Sequence, residues 1–69
     1  MTVTLRIEGM MCPRCEAHVK KALEALEHVT EAIPDHTAGT AVVKASSPIP
    51  KDVLRTAVED AGYTFLGLQ

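Results

Sequence analysis

Alternation at the start of the chain sets the terms for everything after it. Val3, Leu5 and Ile7 are interleaved with Thr2, Thr4, Arg6 and Glu8, the period-two pattern of a strand with one buried face. Gly9-Met10-Met11-Cys12 breaks that pattern and reads as a loop. Pro13 then suits the first turn of a helix, where its missing N–H leaves no bond unmade. Cys15, Val19, Ala22, Leu23 and Leu26 follow at i, i+4, i+7, i+8 and i+11, a single helical stripe. The spacing predicts a helix over 13–27, with Glu16–Lys20 and Lys20–Glu24 as i, i+4 pairs on its outer side. Each such pair contributes roughly 0.2–0.5 kcal/mol.

The second half repeats the theme. Val29 to His36 reads as a strand, although alternation gives it the poor apolar set Ala32, Pro34 and His36. Because Pro34 has no N–H to offer a ladder, this strand belongs at a sheet edge or carries a bulge. Thr37-Ala38-Gly39 is a turn, and Ala41 and Val43 form the inward pair of a short strand over Thr40 to Lys44. Ser46 to Pro50 is a connector that presets a helix start. Leu54, Ala57, Val58 and Ala61 give the second helical stripe, closed by Gly62 at the C′ position. Tyr63 to Leu68 is the last strand. The order β-α-β-β-α-β predicts an α+β, ferredoxin-like sandwich: a four-stranded antiparallel sheet with two helices on one face. Residues 1–69 are expected to form one domain, with no internal linker or low-complexity segment.

A sheet with two helices must be filled by few large side chains here. Nine of the 32 apolar residues are alanine, with one Tyr, one Phe and no Trp, so the core is thin. A net charge of −2 and the scarcity of aromatics argue against nucleic-acid binding, which needs a dense cationic face and stacking rings. No run of 18 apolar residues occurs, so no membrane insertion is expected, and no secretory signal precedes the first strand. A cytoplasmic location is therefore expected, where Cys12 and Cys15 would stay reduced.

Those two cysteines carry the chemistry. They sit where a strand hands over to a helix, with Cys12 in the loop and Cys15 in the first turn. Free helix N–H groups, the positive end of the macrodipole and Arg14 all favour thiolate there. Two thiolates are soft donors that select Cu(I) or other thiophilic ions such as Hg(II). They are too few for structural zinc, which takes four ligands.

Gly9-Met10-Met11-Cys12-Pro13-Arg14-Cys15 matches the GMxCxxC motif, and by it the chain resembles heavy-metal-associated domains. These include CopZ-type copper chaperones and the N-terminal metal-binding domains of copper-transporting P-type ATPases. Asp60-Ala61-Gly62-Tyr63 is similar to the corresponding bacterial segment. The resemblance implies Cys12 and Cys15 as Cu(I) ligands, Met10 as a core residue beneath the loop, Gly9 as a source of backbone freedom, and Tyr63 beside the metal loop. It also implies copper transfer by ligand exchange with a related metal-binding domain or an ATPase, without catalysis. The chain is expected to be monomeric when apo, with a metal-bridged dimer as a further form.

Plainer readings stand beside these. His18 completes C-x-x-C-x-x-H but, one turn below Cys15, reads as a solvated helix histidine. His28 and His36 read as surface residues, and Met11 as a loop contact or docking side chain rather than a ligand. Tyr63 serves as well as a half-buried packing residue. Lys20, Lys21 and Arg14 would suit an acidic partner or an ordinary solvated face. Mercury binding on the same fold is the alternative function, and a thiol-disulfide oxidoreductase is the more distant one.

Overall fold

The pattern that opens the chain becomes the centre of a sheet. The computed structural model describes residues 1–69, with β1 (Thr2–Glu8), α1 (Pro13–Glu24), β2 (Val29–Asp35), β3 (Thr40–Ala45), α2 (Lys51–Asp60) and β4 (Thr64–Leu68) in that order. The sheet order is β2-β3-β1-β4, and all three pairings are antiparallel. This is the expected ferredoxin-like arrangement. In register, Val3 faces Val43 and Leu5 faces Ala41 across β1 and β3, and Val43 faces Ala32 of β2. Side chains in such rows share one face of the pleat.

That face meets both helices. Val19 and Leu23 of α1, Leu54 and Val58 of α2, and Leu5, Ala32, Ala41 and Val43 of the sheet are all fully buried in one core. The predicted stripes therefore point inward, and Cys15, Leu26, Ala57 and Tyr63 pack against the same cluster from its margin. Three of the nine alanines, Ala32, Ala41 and Ala45, lie in the core.

Several boundaries differ from expectation for identifiable reasons. α1 stops at Glu24 rather than 27, because the chain must reverse to enter β2. His28 makes that reversal at φ 74°, a left-handed conformation uncommon outside glycine. Leu26 still packs on the core, but from the turn. β4 begins at Thr64, and β2 ends at Asp35.

β2 is an edge strand, one of the two placements Pro34 allows, and its bulge lies between Val29 and Glu31 rather than at the proline. Its outer edge is closed by α1. The Glu24 carboxylate accepts the Ala32 N–H at 3.1 Å, and the Lys20 ammonium donates to the Ala32 carbonyl at 2.9 Å and to Glu24 at 2.7 Å. Pro34 has no N–H to satisfy, and the Glu16 carboxylate accepts the His36 N–H at 2.7 Å. Glu16 thus pairs with His36, backbone and imidazole, instead of with Lys20, and His36 is half-buried rather than a plain surface residue. With Ala32 and His36 partnered in this way, the edge offers less to a foreign strand.

Candidate metal centre

The loop between β1 and α1 presents two sulfurs at a helix N-terminus. Cys12 is the N-cap in extended backbone (φ −159°, ψ 167°), and no side chain caps the helix. Its carbonyl accepts the first helical bonds, from the Cys15 N–H at 3.0 Å and the Glu16 N–H at 3.2 Å. The thiols are free, with Sγ of Cys12 and Sγ of Cys15 3.5 Å apart. Cys12 is exposed and Cys15 half-buried. The two sulfurs thus converge where amide N–H groups and the helix dipole favour negative charge.

The two methionines of the loop part ways. Met10 is 5% exposed and belongs to the core, whereas Met11 is 83% exposed. Met10 therefore anchors the loop from below, the placement expected from the motif, and Met11 stands in solvent beside the cysteines.

Tyr63 reaches the site from the other end of the chain, and Gly62 is what brings it there. The Gly62 N–H bonds to the Glu59 carbonyl at 3.0 Å and the Tyr63 N–H to the Val58 carbonyl at 3.2 Å. With Gly62 at φ 99°, this is a Schellman cap closing α2. The Tyr63 ring then lies over Gly9, where a Cβ would sit 3.4 Å from Cδ1. Gly9 itself is at φ 104°, so the loop needs glycine for its backbone, while a Cβ there would just touch the ring.

The hydroxyl of Tyr63 gives the site its electrostatic bias. Its hydrogen bond is the largest influence on Cys15, followed by the Met11 backbone and the Cys12 thiol. Together they outweigh partial burial and lower the Cys15 thiol from 9.0 to about 7. The same contact, with burial and the nearby sulfurs, pushes Tyr63 up to about 12. A thiol held near 7 is a substantial fraction thiolate at neutral pH, the form that binds metal.

No group of three or more His, Cys, Asp or Glu side chains comes together anywhere in the fold. His18 is exposed and does not complete a three-ligand set with the cysteines; its Nδ1 instead lies 3.4 Å from Oη of Tyr63. His28 sits in the turn after α1, and His36 is held by Glu16. Arg14 is exposed at the start of α1. Sequence spacing points to the cysteines, whereas Met10 beneath the loop and Tyr63 beside it are what the family resemblance implies. The His18–Tyr63 contact joins positions 45 residues apart, and no local pattern announces it.

Two soft donors, open to solvent on one side and backed by hydrogen-bond donors, can hold one thiophilic ion and leave room for a further thiolate. Comparison with known proteins agrees with that chemistry. The chain is 39% identical over 61 residues to a mercuric reductase of Shewanella putrefaciens, covering 88% of this chain and 11% of that one. It is 37% identical over 62 residues to a copper-exporting P-type ATPase of Vibrio cholerae, covering 90% of this chain and 7% of that one. The chain thus spans about a tenth of the length of these relatives. Among solved structures, a CopZ metallochaperone superposes with a TM-score of 0.89 at 30% identity, over 96% of this chain and 100% of that one. Residues 4–64 match the model of the heavy-metal-associated domain, and the chain belongs to that family of soft-metal-binding modules.

Proposed function

We propose that this heavy-metal-associated domain, taken as one unit over residues 1–69, is a carrier that binds one Cu(I) between Cys12 and Cys15. It passes the ion on by thiolate exchange and performs no catalytic turnover. The observation that carries this reading is the donor-rich setting of two converging sulfurs. Cu(I) held by two thiolates leaves the site with a net charge of −1. The α1 N-terminus, the Met11 backbone and the Tyr63 hydroxyl all stabilise negative charge at that point. With only two protein ligands, a partner's thiolate can enter before either bond breaks, so the ion moves through a shared intermediate rather than through water.

The partner fitting this chemistry is a second exposed cysteine pair, as on a related metal-binding domain or at a copper-transporting P-type ATPase. The exchange belongs in a reducing compartment, the cytoplasm, where both thiols stay free. No helix is long and apolar enough to cross a membrane. The chain is monomeric when apo, and two copies sharing Cu(I) through four thiolates is the metal-bridged form to which an open two-sulfur site lends itself.

Hg(II) is the second reading, favoured by the likeness to mercuric reductase and by the softness of the same two donors. Transfer distinguishes the two. Cu(I)-loaded protein mixed anaerobically with the metal-binding domain of a copper ATPase should hand over its ion. Retention of Cu(I), with Hg(II) passing readily to a mercuric reductase, would replace copper with mercury.

A further inference from the structure

We infer that the groove between the end of α1 and the outer flank of α2 is a docking site for a basic amphipathic helix of a partner protein, with one apolar side chain seated between two carboxylates. The groove, of about 330 Å³, is lined by Leu26, Asp52, Val53, Thr56, Ala57 and Asp60. It follows from the early end of α1 at Glu24. Leu26 reaches the core from the turn beyond, and the flank of α2 that it meets stays uncovered. Leu26 and Ala57 pack against the core from its margin, and Val53, 40% exposed, carries that apolar surface out towards solvent.

The rim decides what can lie there. Asp52 and Asp60 line the groove, and none of the seven Lys and Arg residues does. Asp52 shares Arg55 at 3.1 Å, whereas Asp60 takes part in no ion pair of the fold. Asp60 is also the last residue of α2, whose final turn has no basic residue. Its carboxylate therefore adds to the negative end of the helix dipole, and a cation brought in from outside is favoured by both. Asp52 and Asp60 are eight residues apart on α2, about 12 Å along the axis. Two lysines or arginines two turns apart on a facing helix span about 11 Å, with a Leu or Met midway to cover Val53 and Ala57. Recognition of an amphipathic helix in an apolar groove works this way, with burial holding the side chain and charge guiding its approach.

The lining residues lie outside the loop that carries Cys12 and Cys15, and Leu26 is at the other end of α1 from Cys15. A partner held in the groove thus leaves both sulfurs open to exchange. The inference holds whichever ion they carry.

Two helical peptides test it: one with lysines one turn before and one turn after a central Leu, and its twin with Ser in place of that Leu. In NMR titrations of isotope-labelled apo protein, the Leu peptide should shift the amide signals of Leu26, Val53, Thr56 and Ala57 and leave those of Cys12 and Cys15 in place. The Ser peptide should bind roughly tenfold more weakly, the low end of what burying one such side chain is worth. Asp52→Asn combined with Asp60→Asn should weaken the Leu peptide about fivefold, the scale of two exposed ion pairs. Val53→Ser should weaken it too, yet keep its sensitivity to salt. All three substituted positions are exposed, and circular dichroism should show both variants folded. Equal binding of the two peptides, or shifts spread over other acidic positions such as Glu27 and Glu31, would overturn the proposal. So would the same signals moving with protein concentration in the absence of peptide, since a second copy would then be the occupant. Failure of the protein to take up Cu(I) or Hg(II) would count against the metal-carrier reading alone, because the peptide titration is read without metal.

Discussion

Replacing Met10 with alanine separates a scaffold role from a ligand role in the same loop. Met10 is 5% exposed within the core cluster, so the substitution removes a buried thioether chain and leaves a cavity. Buried Met→Ala changes cost about 2–5 kcal/mol; at the margin of this core, the lower half, about 2–3 kcal/mol, is the reasonable expectation. A 69-residue chain has roughly 3–10 kcal/mol in total at the usual stability per residue. One side chain therefore accounts for a large share of it. At 4–8 °C per kcal/mol for a domain this size, Tm should fall by roughly 10–20 °C. Urea and thermal unfolding of the apo protein measure this. Metal titration of the variant at low temperature should still reach one equivalent, and saturating metal should recover part of the lost stability by mass action. Met11→Ala, at an 83% exposed position, should leave Tm unchanged. A folded Met10→Ala variant that no longer binds one equivalent would refute the assignment of Met10 to the core and make it a ligand.

Further outcomes follow from the same geometry. Alkylation of Cys15 in the apo protein should rise with pH around a midpoint near 7. Since the Tyr63 bond favours the thiolate, Tyr63→Phe should move that midpoint upward, towards 9.0; an unmoved midpoint would contradict the contact. Gly62→Ala meets no neighbouring atom within 4 Å but keeps φ at 99°. It should cost about 1–2 kcal/mol from backbone strain alone, measured by urea unfolding. Glu24→Ala should speed amide exchange at Ala32, whose N–H it accepts, and leave the His36 amide, held by Glu16, unchanged.

What the sequence disclosed and what it withheld divide along the distance over which the determining contacts act. The alternation of Val3, Leu5 and Ile7 and the stripe through Val19 and Leu23 are local patterns, and the structure buries them as the periods require. Gly62 as a C′ residue is also local, and it places Tyr63 at the metal loop. Pro34 signals an edge strand or a bulge for a local reason, its missing N–H, and the edge is what the sheet order shows. The way that edge is closed was not legible, because Glu16, Lys20 and Glu24 look like partners along one helix when read at i, i+4 spacing. Only the approach of β2 shows that Glu16 serves His36 and Glu24 serves Ala32. The end of α1 at Glu24 rather than 27 escapes local pattern for a related reason. Leu26 keeps the helical stripe going, yet its burial is achieved from a turn that His28 bends back towards β2. The pairing of His18 with Tyr63 likewise depends on where α2 ends relative to α1.

The central claim is that Cys12 and Cys15 together hold one soft ion, and anaerobic Cu(I) titration against a competing chelator tests it most directly. The wild-type protein should saturate at one equivalent per chain, and Cys12→Ser and Cys15→Ser should each abolish tight binding while the apo fold, monitored by circular dichroism, persists. Tight one-to-one binding surviving in either serine variant would contradict the claim.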